Sequence, residues 1–420
     1  MAAKPSANDK VVLALIGAGG RGTGVILSMQ KNTPNVEVKY VCEVDDSRGG
    51  RAIDELSKAQ GYKPKRVSDL RRVLDDKDVD GVVVCTPEHW HALAAIWACQ
   101  AGKDVYVEKN ISLSIEEGRK MVEAAEKSKS IVQCGTQNRS ANYNILARDY
   151  IQSGKLGNIV QVKNYCMLPG GKPWFLKPDS PVPEGLNWDM WLGPSKKVPY
   201  NLSRHKAWYD WWDYSGGAAL AGDASHVMDL ARMVLGDPEH PKAVHCAGGR
   251  ILHDDERDTP DIQAITFDYG KFPMSCVSSI FGNYMVKTDP KIRYGNDFPD
   301  WKLNATRIEI YGTEGMMYLG RHGGGWQVLS TEGEVVAQEP GMFPDIEHQL
   351  NFIESIRTRK MPNGNILQGH KSATLIHLAN LSYRLDNTKL EFDGTSEKFT
   401  NSDQANALSK LEYSSGYEIV

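Results

Sequence analysis

The sequence has no long hydrophobic run and no large excess of charge of either sign. Its longest apolar run near the start, at 11–16, spans six residues, whereas a transmembrane helix needs about 20. Lysine and arginine number 49 and aspartate and glutamate 53, which gives a net charge of −4, while nucleic-acid-binding domains usually carry a basic surface. With 41% hydrophobic and 24% charged residues, the composition is that of a globular protein. We therefore expect no membrane span and no nucleic-acid partner.

Cysteine and histidine pairs with metal-ligand spacing are also missing. The seven cysteines are scattered and none forms a C-x-x-C pair, the spacing typical of zinc and redox sites. None of the 11 histidines forms an H-x-x-x-H pair near a carboxylate, so we expect no metal ion. Free thiols fit a reducing compartment. We therefore expect a cytoplasmic protein, or a periplasmic one if an export leader has been removed from the sequence.

The first part of the chain alternates short strand-like and helix-like segments. This alternation predicts βαβ units and a parallel, doubly wound sheet. At roughly 150 residues per domain, a length of 420 residues suggests two or three domains, and we predict the first at 1–135. The strand-like segments of this domain are 11–16, 36–44, 81–85, 104–107 and 131–134.

Beyond residue 135 the pattern changes to strands and long loops. We predict a second, α+β domain at 136–400, built on an open and largely antiparallel sheet, and a C-terminal tail at 401–420. Seven of the ten tryptophans lie between 174 and 301, so the Trp-rich segment 167–214 is predicted to be an ordered, extended loop. The strand-like segments are 159–165, 261–268, 274–279, 307–312, 316–319 and 327–329.

The first strand ends in a G-x-G-x-x-G pattern made by Gly17, Gly19 and Gly22. In such a turn the glycines permit a tight bend, close approach of a pyrophosphate and close packing of the next helix. Glu43 follows Gly22 by 21 residues, at the end of the second strand. A carboxylate there accepts both ribose hydroxyls and repels a 2′-phosphate. The pattern predicts a Rossmann domain that binds NAD in preference to NADP.

Three further stretches complete a recognisable set. The third strand is followed by T-P-E-H-W-H at 86–91, the next helix is followed by G-K-D-V-Y-V-E-K at 102–109, and a glycine pair at 216–217 precedes His226. Together with the glycine turn, and with R-I-E-I-Y-G-T-E-G at 307–315, they resemble the glucose–fructose oxidoreductase / inositol 2-dehydrogenase (Gfo/Idh/MocA) family. The resemblance covers most of residues 10–400.

This resemblance implies a Rossmann domain followed by an α/β domain whose open sheet forms an oligomer interface, hence a homodimer or homotetramer. It also implies hydride transfer between nicotinamide and a secondary alcohol of a sugar, glycoside or cyclitol. We predict that the following residues contact the cofactor: Gly17, Gly19, Gly20, Arg21, Gly22, Glu43, Asp45, Arg48, Thr86, Pro87, Trp90, His91, Glu108, Lys109 and Gln137.

The resemblance also supplies catalytic candidates. Lys109 matches the family's lysine and would hydrogen-bond the reacting oxygen, while His226 matches its histidine and would act as the base, since the histidine pKa lies near neutrality. A surface lysine and a core histidine are the alternatives. Two positions depart from the family pattern, because Asn110 replaces a proline and Gly222 replaces an aspartate. Asp223 is the nearest carboxylate and is predicted to participate.

The segment 205–214 interleaves aromatic and acidic side chains. Such a mixture favours sugar binding, because flat rings cover the C–H faces of a pyranose while carboxylates hold its hydroxyls. The alternative is that these rings fill a core. For Arg139, at the crossover between the two domains, the alternative is a structural salt bridge. The predicted substrate contacts are Lys109, Arg139, Trp208, Trp212, Tyr214 and His226.

Two other functions compete with a dehydrogenase. One is a redox-assisted glycosidase or lyase that keeps its NAD bound, for which the missing carboxylate at Gly222 leaves room. The other is a non-catalytic NAD-binding sensor. The sensor hypothesis expects Lys109 and His226 to be lost, yet both are present.

Overall fold

In the computed structural model, which describes residues 10–170, 173, 175–217 and 220–418, the chain begins with regularly alternating strands and helices. Most strands in this part are followed by a helix that returns the chain to the same edge of the sheet. The elements are β1 (Val11–Ile16), α1 (Gly20–Asn32), β2 (Val36–Cys42), α2 (Gly50–Gln60), β3 (Lys65–Val67), α3 (Arg71–Leu74), β4 (Gly81–Val84), α4 (His91–Gln100), β5 (Asp104–Val107), α5 (Ile115–Ser128) and β6 (Val132–Cys134).

These strands form one six-stranded sheet in the order β3-β2-β1-β4-β5-β6, and every described pair in it is parallel. All residues of β4 and β5 are buried, as expected where helices cover both faces of a parallel sheet. Alternate residues face different cores, with Val82 and Val84 in one cluster and Val83 in the other. This is the strand order of the Rossmann fold.

The rest of the chain forms a larger sheet with helices on one face. Short 3₁₀ turns lie at Glu88–Trp90, Gln137–Ser140 and Trp208–Asp210, and a π-helical turn lies at Leu220–Ala224. The other elements are α6 (Asn142–Gln152), β7 (Ile159–Met167), α7 (Trp188–Leu192), α8 (Leu202–Lys206), α9 (Ser225–Val234), β8 (Ala243–Gly249), β9 (Ile262–Asp268), β10 (Pro273–Ser279), α10 (Pro290–Arg293), β11 (Arg307–Gly312), β12 (Met316–Gly320), β13 (Trp326–Leu329), β14 (Val335–Glu339), α11 (Asp345–Thr358), α12 (Ile366–Arg384), β15 (Leu390–Asp393), β16 (Lys398–Phe399) and α13 (Asp403–Leu408).

The second sheet has ten strands in the order β14-β13-β12-β11-β7-β10-β9-β8-β15-β16. The β10–β7 pair is parallel, and the other described pairs are antiparallel. In β7, Val162 and Cys166 are buried while Lys163 and Tyr165 are half-buried, because alternate side chains point to opposite faces. The predicted fold class, a Rossmann domain followed by an α+β domain with a largely antiparallel sheet, is confirmed.

The sequence missed strands that lack a clear hydrophobic run. The strand β8 ends in Gly248 and Gly249, which weaken a strand pattern. The edge strand β14 has Val335 and Val336 exposed, so it carries little of the alternation that predicts a half-buried strand. Both segments form strands because the tertiary fold places β8 beside β9 and β15, and β14 beside β13.

Elements late in the chain pack against the first domain. The helix α11 contacts α1, and α12 contacts α5 as well as β8 and α9. Within the segment predicted as a tail, the ring of Tyr417 stacks on Trp97 at 6.3 Å between centroids. These contacts cross the predicted boundaries at residues 135 and 400. The division of the chain at those residues therefore stays a prediction.

Of the Trp-rich segment the structure describes residues 167–170, 173 and 175–214, so the part of this prediction at 171, 172 and 174 lies outside the described residues. The described part contains a small aromatic cluster. The rings of Trp188 and Trp191 stack at 4.6 Å between centroids, and Tyr214 meets Trp191 edge to face at 5.0 Å. Aromatic pairs in such arrangements contribute about 0.5–1.5 kcal/mol beyond their buried area. Much of this aromatic density therefore forms a core of its own.

No helix within the described ranges, which begin at residue 10 and end at residue 418, combines the length and the apolar character that crossing a lipid bilayer requires.

A buried ion network joins the turn after β6 to α9. Arg139, in the turn after β6, donates from Nε to both carboxylate oxygens of Asp229 at 2.9 and 3.0 Å. Its two terminal nitrogens donate to Asp237 at 3.1 and 2.8 Å. Arg139 and Asp229 are 3% and 1% exposed, and Ser372 donates a further hydrogen bond to Asp229 at 2.7 Å. Removing the cation would leave a buried carboxylate unpaired.

We expect Arg139→Met to lower the free energy of unfolding by about 3–5 kcal/mol, the usual cost of breaking a buried ion pair from one side. The measurement is denaturant unfolding followed by tryptophan fluorescence. Arg148→Met is the control, because Arg148 pairs with Asp149 at the surface and such pairs contribute about 0–1 kcal/mol. Equal losses in the two variants would contradict a special role for the buried network.

Candidate functional site

The glycine turn after β1 has the geometry of a phosphate cradle. Gly17 has φ +89°, and a Cβ there would lie 2.7 Å from the backbone of Cys85. A Cβ on Gly22 would lie 2.1 Å from the carbonyl oxygen of Gly17, so only glycine allows α1 to pack this closely on the turn. Because α1 begins at Gly20, its free N–H groups point to where a pyrophosphate binds.

A cleft opens beside this turn, along the carboxyl ends of β1, β2 and β4. It contains ten of the fifteen residues predicted to contact the cofactor: Gly17, Gly19, Gly20, Arg21, Glu43, Asp45, Arg48, Thr86, Pro87 and Trp90. Gly22, His91, Glu108, Lys109 and Gln137 do not line it. The cleft also contains residues that the sequence did not single out, among them Ser68, Leu70, Met190, Trp191 and His205.

Two carboxylates stand at the end of β2. Glu43 accepts backbone hydrogen bonds from Ala18 at 2.8 Å, from Val44 at 2.9 Å and from Asp45 at 3.1 Å, which fixes its orientation beside the glycine turn. Asp45 is buried, and its carboxylate lies 3.5 Å from the guanidinium of Arg48. Two negative groups where the ribose binds fit NAD better than a ligand with a 2′-phosphate.

Arg21 is held by carboxylates of both domains. Its Nε donates to Glu108 at 2.8 Å, and its terminal nitrogens donate to both oxygens of Asp345 at 3.0 Å. Burial alone would lower the pKa of Arg21, but these carboxylates raise it. Arg21 and Glu108 therefore join α1 and β5 to α11, and they position the chain just before Lys109.

The hydroxyl of Thr86, which lines the cleft, and the side-chain carbonyl of Gln137, which does not, are buried and make no hydrogen bond with the described residues. Buried polar atoms in this state are rare in proteins and call for a partner. His91 lies between the carbonyls of Asn110 at 2.7 Å and Thr86 at 2.9 Å, so it positions both loops rather than facing the cleft. The cradle and these orphaned atoms fit a dinucleotide.

Lys109 and His226 come together from different domains. Lys109 follows β5, and its ammonium donates to the carbonyl of Ala221 at 3.2 Å. Ala221 belongs to the π-helical turn that leads directly into α9, where His226 is the second residue. Such π-helical turns often occur at functional sites. The turn therefore lies between Lys109 and His226, the two side chains that the sequence predicts as catalytic, and brings them close together.

His226 is buried and surrounded by charges. Burial lowers its pKa well below the ordinary value, and the nearby cations Arg321 and Lys109 lower it further, while Asp223 opposes them. The imidazole is therefore neutral near pH 7, the form that accepts a proton.

Asp223 is one of the charges close to His226, but its own partners are side chains farther along the second domain. It pairs with Lys287, and its other oxygen lies 3.4 Å from Nε2 of His322. Burial alone would raise its pKa, but His322 and the charge of Arg321 lower it well below the usual range. A Cβ on Gly222 would meet no atom of the described residues within 4 Å, so those residues leave space at the position where the family has an aspartate.

The predicted substrate contacts divide into three groups. Lys109 and His226 meet as described, while Arg139 gives its donors to the buried network behind α9, which is the salt-bridge alternative. Tyr214 is fully buried, and the half-buried ring of Trp212 lies under the guanidinium of Arg384 at 5.4 Å. Trp208 lines the cofactor cleft. Their contact with a substrate stays a prediction, and the geometry favours a packing role for Tyr214.

Sequence reasoning left Arg321 and His322 unassigned. They follow β12 in the run G-R-H-G-G-G at 320–325. The signal that was available is a pair of basic residues placed directly after a strand and before three glycines. Such glycines let a chain turn tightly against a site.

One group of possible metal ligands lies elsewhere. His240, His370 and Glu397 bring ligand atoms within 4.8 Å of one another. One oxygen of Glu397 lies 2.7 Å from His370 Nε2 and 3.3 Å from His240 Nε2, and Arg119 donates to the same carboxylate. Because the guanidinium of Arg119 already pairs with Glu397, we interpret this cluster as a structural hydrogen-bond network.

Comparisons with known proteins agree with this architecture. A model of the Gfo/Idh/MocA family, an oxidoreductase family with an NAD-binding Rossmann fold, matches residues 11–136. A second model, for the C-terminal alpha/beta domain of the same oxidoreductase family, matches residues 169–271 and 311–419.

Two curated relatives and one solved structure are similar to the chain. A levoglucosan dehydrogenase of Pseudarthrobacter phenanthrenivorans is 30% identical over 184 residues, 44% of this chain and 40% of that protein. The NAD(+)-dependent scyllo-inositol 2-dehydrogenase of Bacillus subtilis is 26% identical over 84% of this chain and 88% of its own length. The aldose-aldose oxidoreductase of Caulobacter crescentus, solved with glycerol, superposes with a TM-score of 0.66 at 18% identity, covering 91% of this chain and all of that one.

The two family models together account for most of the chain, and each falls on the sheet that the structure shows for it. This protein therefore belongs to the Gfo/Idh/MocA family of oxidoreductases, and its first domain is the family's NAD-binding Rossmann fold.

Proposed function

We propose that this protein transfers a hydride between a secondary alcohol of a sugar, glycoside or cyclitol and NAD. The observation that carries the proposal is the meeting of Lys109 and His226 at the π-helical turn, next to the cofactor cleft. The relatives named above, a levoglucosan and an inositol dehydrogenase, support this substrate class. When bound, NAD supplies the hydride acceptor.

Cofactor binding, charge stabilisation and proton transfer fall to different side chains of the protein. The glycine turn and the start of α1 hold the pyrophosphate, and Glu43 and Asp45 hold the ribose. The ammonium of Lys109 hydrogen-bonds the reacting oxygen and stabilises the charge that develops on it. Neutral His226 takes the hydroxyl proton. Because Lys109 comes from the first domain and His226 from the second, the site is complete only when the domains are packed together.

We also propose that the protein forms a homodimer or homotetramer through its ten-stranded sheet. The face opposite α9 carries exposed or half-buried side chains, including Ala264, Thr266, Val277 and Tyr311. A cytoplasmic location is supported by the thiols, because all seven cysteines are free and six of them are buried. A periplasmic location is the alternative if an export leader has been removed.

The test of the function is the absorbance of reduced nicotinamide when the purified protein and NAD are mixed with free sugars, cyclitols and glycosides, with products analysed in parallel. We expect steady accumulation of NADH with at least one free sugar or cyclitol. A signal that stops at one equivalent of enzyme while a glycoside continues to be cleaved would instead establish the bound-NAD glycosidase. Silence in both readouts would leave the sensor hypothesis.

Removing either catalytic candidate should slow the reaction without preventing cofactor binding. We expect Lys109→Met and His226→Asn each to lower kcat by about 10²–10⁴-fold, the usual contribution of a positioned acid or base. NADH binding, measured by fluorescence, should be retained. Lys120→Met is the matched control, since Lys120 forms an exposed pair with Glu116. Unchanged turnover in both test variants would contradict the proposed mechanism.

The buried environment of His226 predicts the pH dependence. Because burial and two neighbouring cations hold its pKa well below 6.5, the base does not change its charge near pH 6.5. The pH profile of kcat/KM for alcohol oxidation should therefore show no inflection near pH 6.5. An inflection there in the wild type would contradict this assignment if the residual activity of His226→Asn lacked it.

A further inference from the structure

Arg321 is a buried cation that the proposed reaction does not use. It lies directly after β12, with 3% of its surface exposed. Its Nε and Nη1 atoms are buried and make no hydrogen bond with the residues that the structure describes, and the guanidinium lies 4.9 Å from the centroid of Phe343. Burying a charged group without hydrogen-bond partners is costly, so a side chain in this state calls for a partner.

The turn after β12 lies against the π-helical turn, because Nε2 of His322 is 3.4 Å from the carboxylate of Asp223. Among the charged groups that act on His226, Arg321 has the largest influence and Lys109 the next. The titratable groups that act on Arg321 are Asp223 first, followed by Arg293, Tyr143 and Arg21. Arg321 therefore belongs to the cluster of charges around the two catalytic candidates.

The negative charges near Arg321 are already engaged. Asp223 pairs with Lys287 through one oxygen and lies against His322 through the other. Of the other nearby carboxylates, both oxygens of Asp345 accept hydrogen bonds from Arg21. Lys109, Lys287 and Arg321 thus bring three positive charges to a cluster in which Asp223 supplies one negative charge.

We propose that the substrate carries a carboxylate and that Arg321 binds it, so that the natural substrate is a sugar acid rather than a neutral sugar. The inference rests on the proposed function and specifies its substrate class. A guanidinium presents a planar fork that matches a carboxylate. With Lys287 paired to Asp223, Arg321 and Lys109 remain as two unbalanced cations, and Lys109 is needed at the reacting oxygen. One carboxylate would balance Arg321 and leave Lys109 for that oxygen, whereas a phosphate, which carries nearly two charges, would also draw on Lys109.

The test compares matched pairs of acids and neutral sugars as substrates of the NAD-loaded protein: D-glucuronate with D-glucose, and D-galacturonate with D-galactose. D-glucose 6-phosphate serves as the phosphate arm. We expect kcat/KM for one acid to exceed that of its neutral partner by about 100-fold, the scale of a buried, hydrogen-bonded charge pair. Arg321→Gln should remove most of this preference by slowing the acid and not the neutral sugar. Arg321→Lys, which keeps the charge but not the fork, should restore part of it.

Arg293→Gln is the control, because Arg293 lies over the same Phe343 ring at 4.3 Å but is not among the groups that act on His226. An equal loss of preference in that variant would show that a general positive field selects the acid, and would overturn the assignment to Arg321. NADH fluorescence confirms that each variant is folded. If Arg321→Gln fails to bind NADH, the acid-to-neutral ratios of the wild type and of Arg321→Lys decide the matter.

The outcomes separate this inference from the proposed function. Neutral sugars oxidised as fast as their acids, or the phosphate preferred to the carboxylate, would overturn the inference and leave the dehydrogenase standing. If the wild type bound NAD but oxidised no sugar, acid, cyclitol or glycoside, the proposed function would fail, and this inference would fail with it.

Discussion

The geometry of this site depends on the buried ion network that fixes α9 to the turn after β6. Arg139 lies in the turn that follows β6, and it donates hydrogen bonds to Asp229 on α9 and to Asp237 just beyond that helix. His226 is at the start of the same helix, and the π-helical turn before it receives the ammonium of Lys109. Ion pairs of this kind add little net stability when complete, but they tolerate no loss of one partner. The network therefore attaches the helix that carries His226 to the turn after β6.

The two ends of the site carry charges of opposite sign. Cations surround a neutral, buried histidine, while Glu43 and Asp45 stand at the ribose end of the cleft. The two ends of the site thus favour different parts of the bound molecules: a ribose with free hydroxyls at one end, and a developing or permanent negative charge at the other. Low solvent exposure strengthens both effects, because charges interact more strongly where water is excluded.

Some side chains have roles that no local pattern could reveal. The aromatic residues of 205–214 resemble a sugar platform in sequence, yet Tyr214 is fully buried against Trp191 and His89. A ring that covers a sugar and a ring that fills a core obey the same residue preferences, and burial depends on what α7 brings next to it. Arg321 shows the opposite case, because a basic residue in a glycine-rich turn acquires its position only when β12 lies beside β11 and α9 packs over the sheet.

The sequence by itself determined the parts that depend on short-range spacing. The glycine turn, the carboxylate after β2, the strand–helix alternation and the motif around Lys109 each lie within one βα unit, so the physical requirement and the residues that meet it are close in the chain. Tertiary structure alone decided which distant groups share a site: Lys109 with Ala221, Arg139 with Asp229, and Asp223 with Lys287 and His322. These pairs join segments 64 to 112 residues apart, and such contacts follow from the packing of whole elements, which local preferences do not specify.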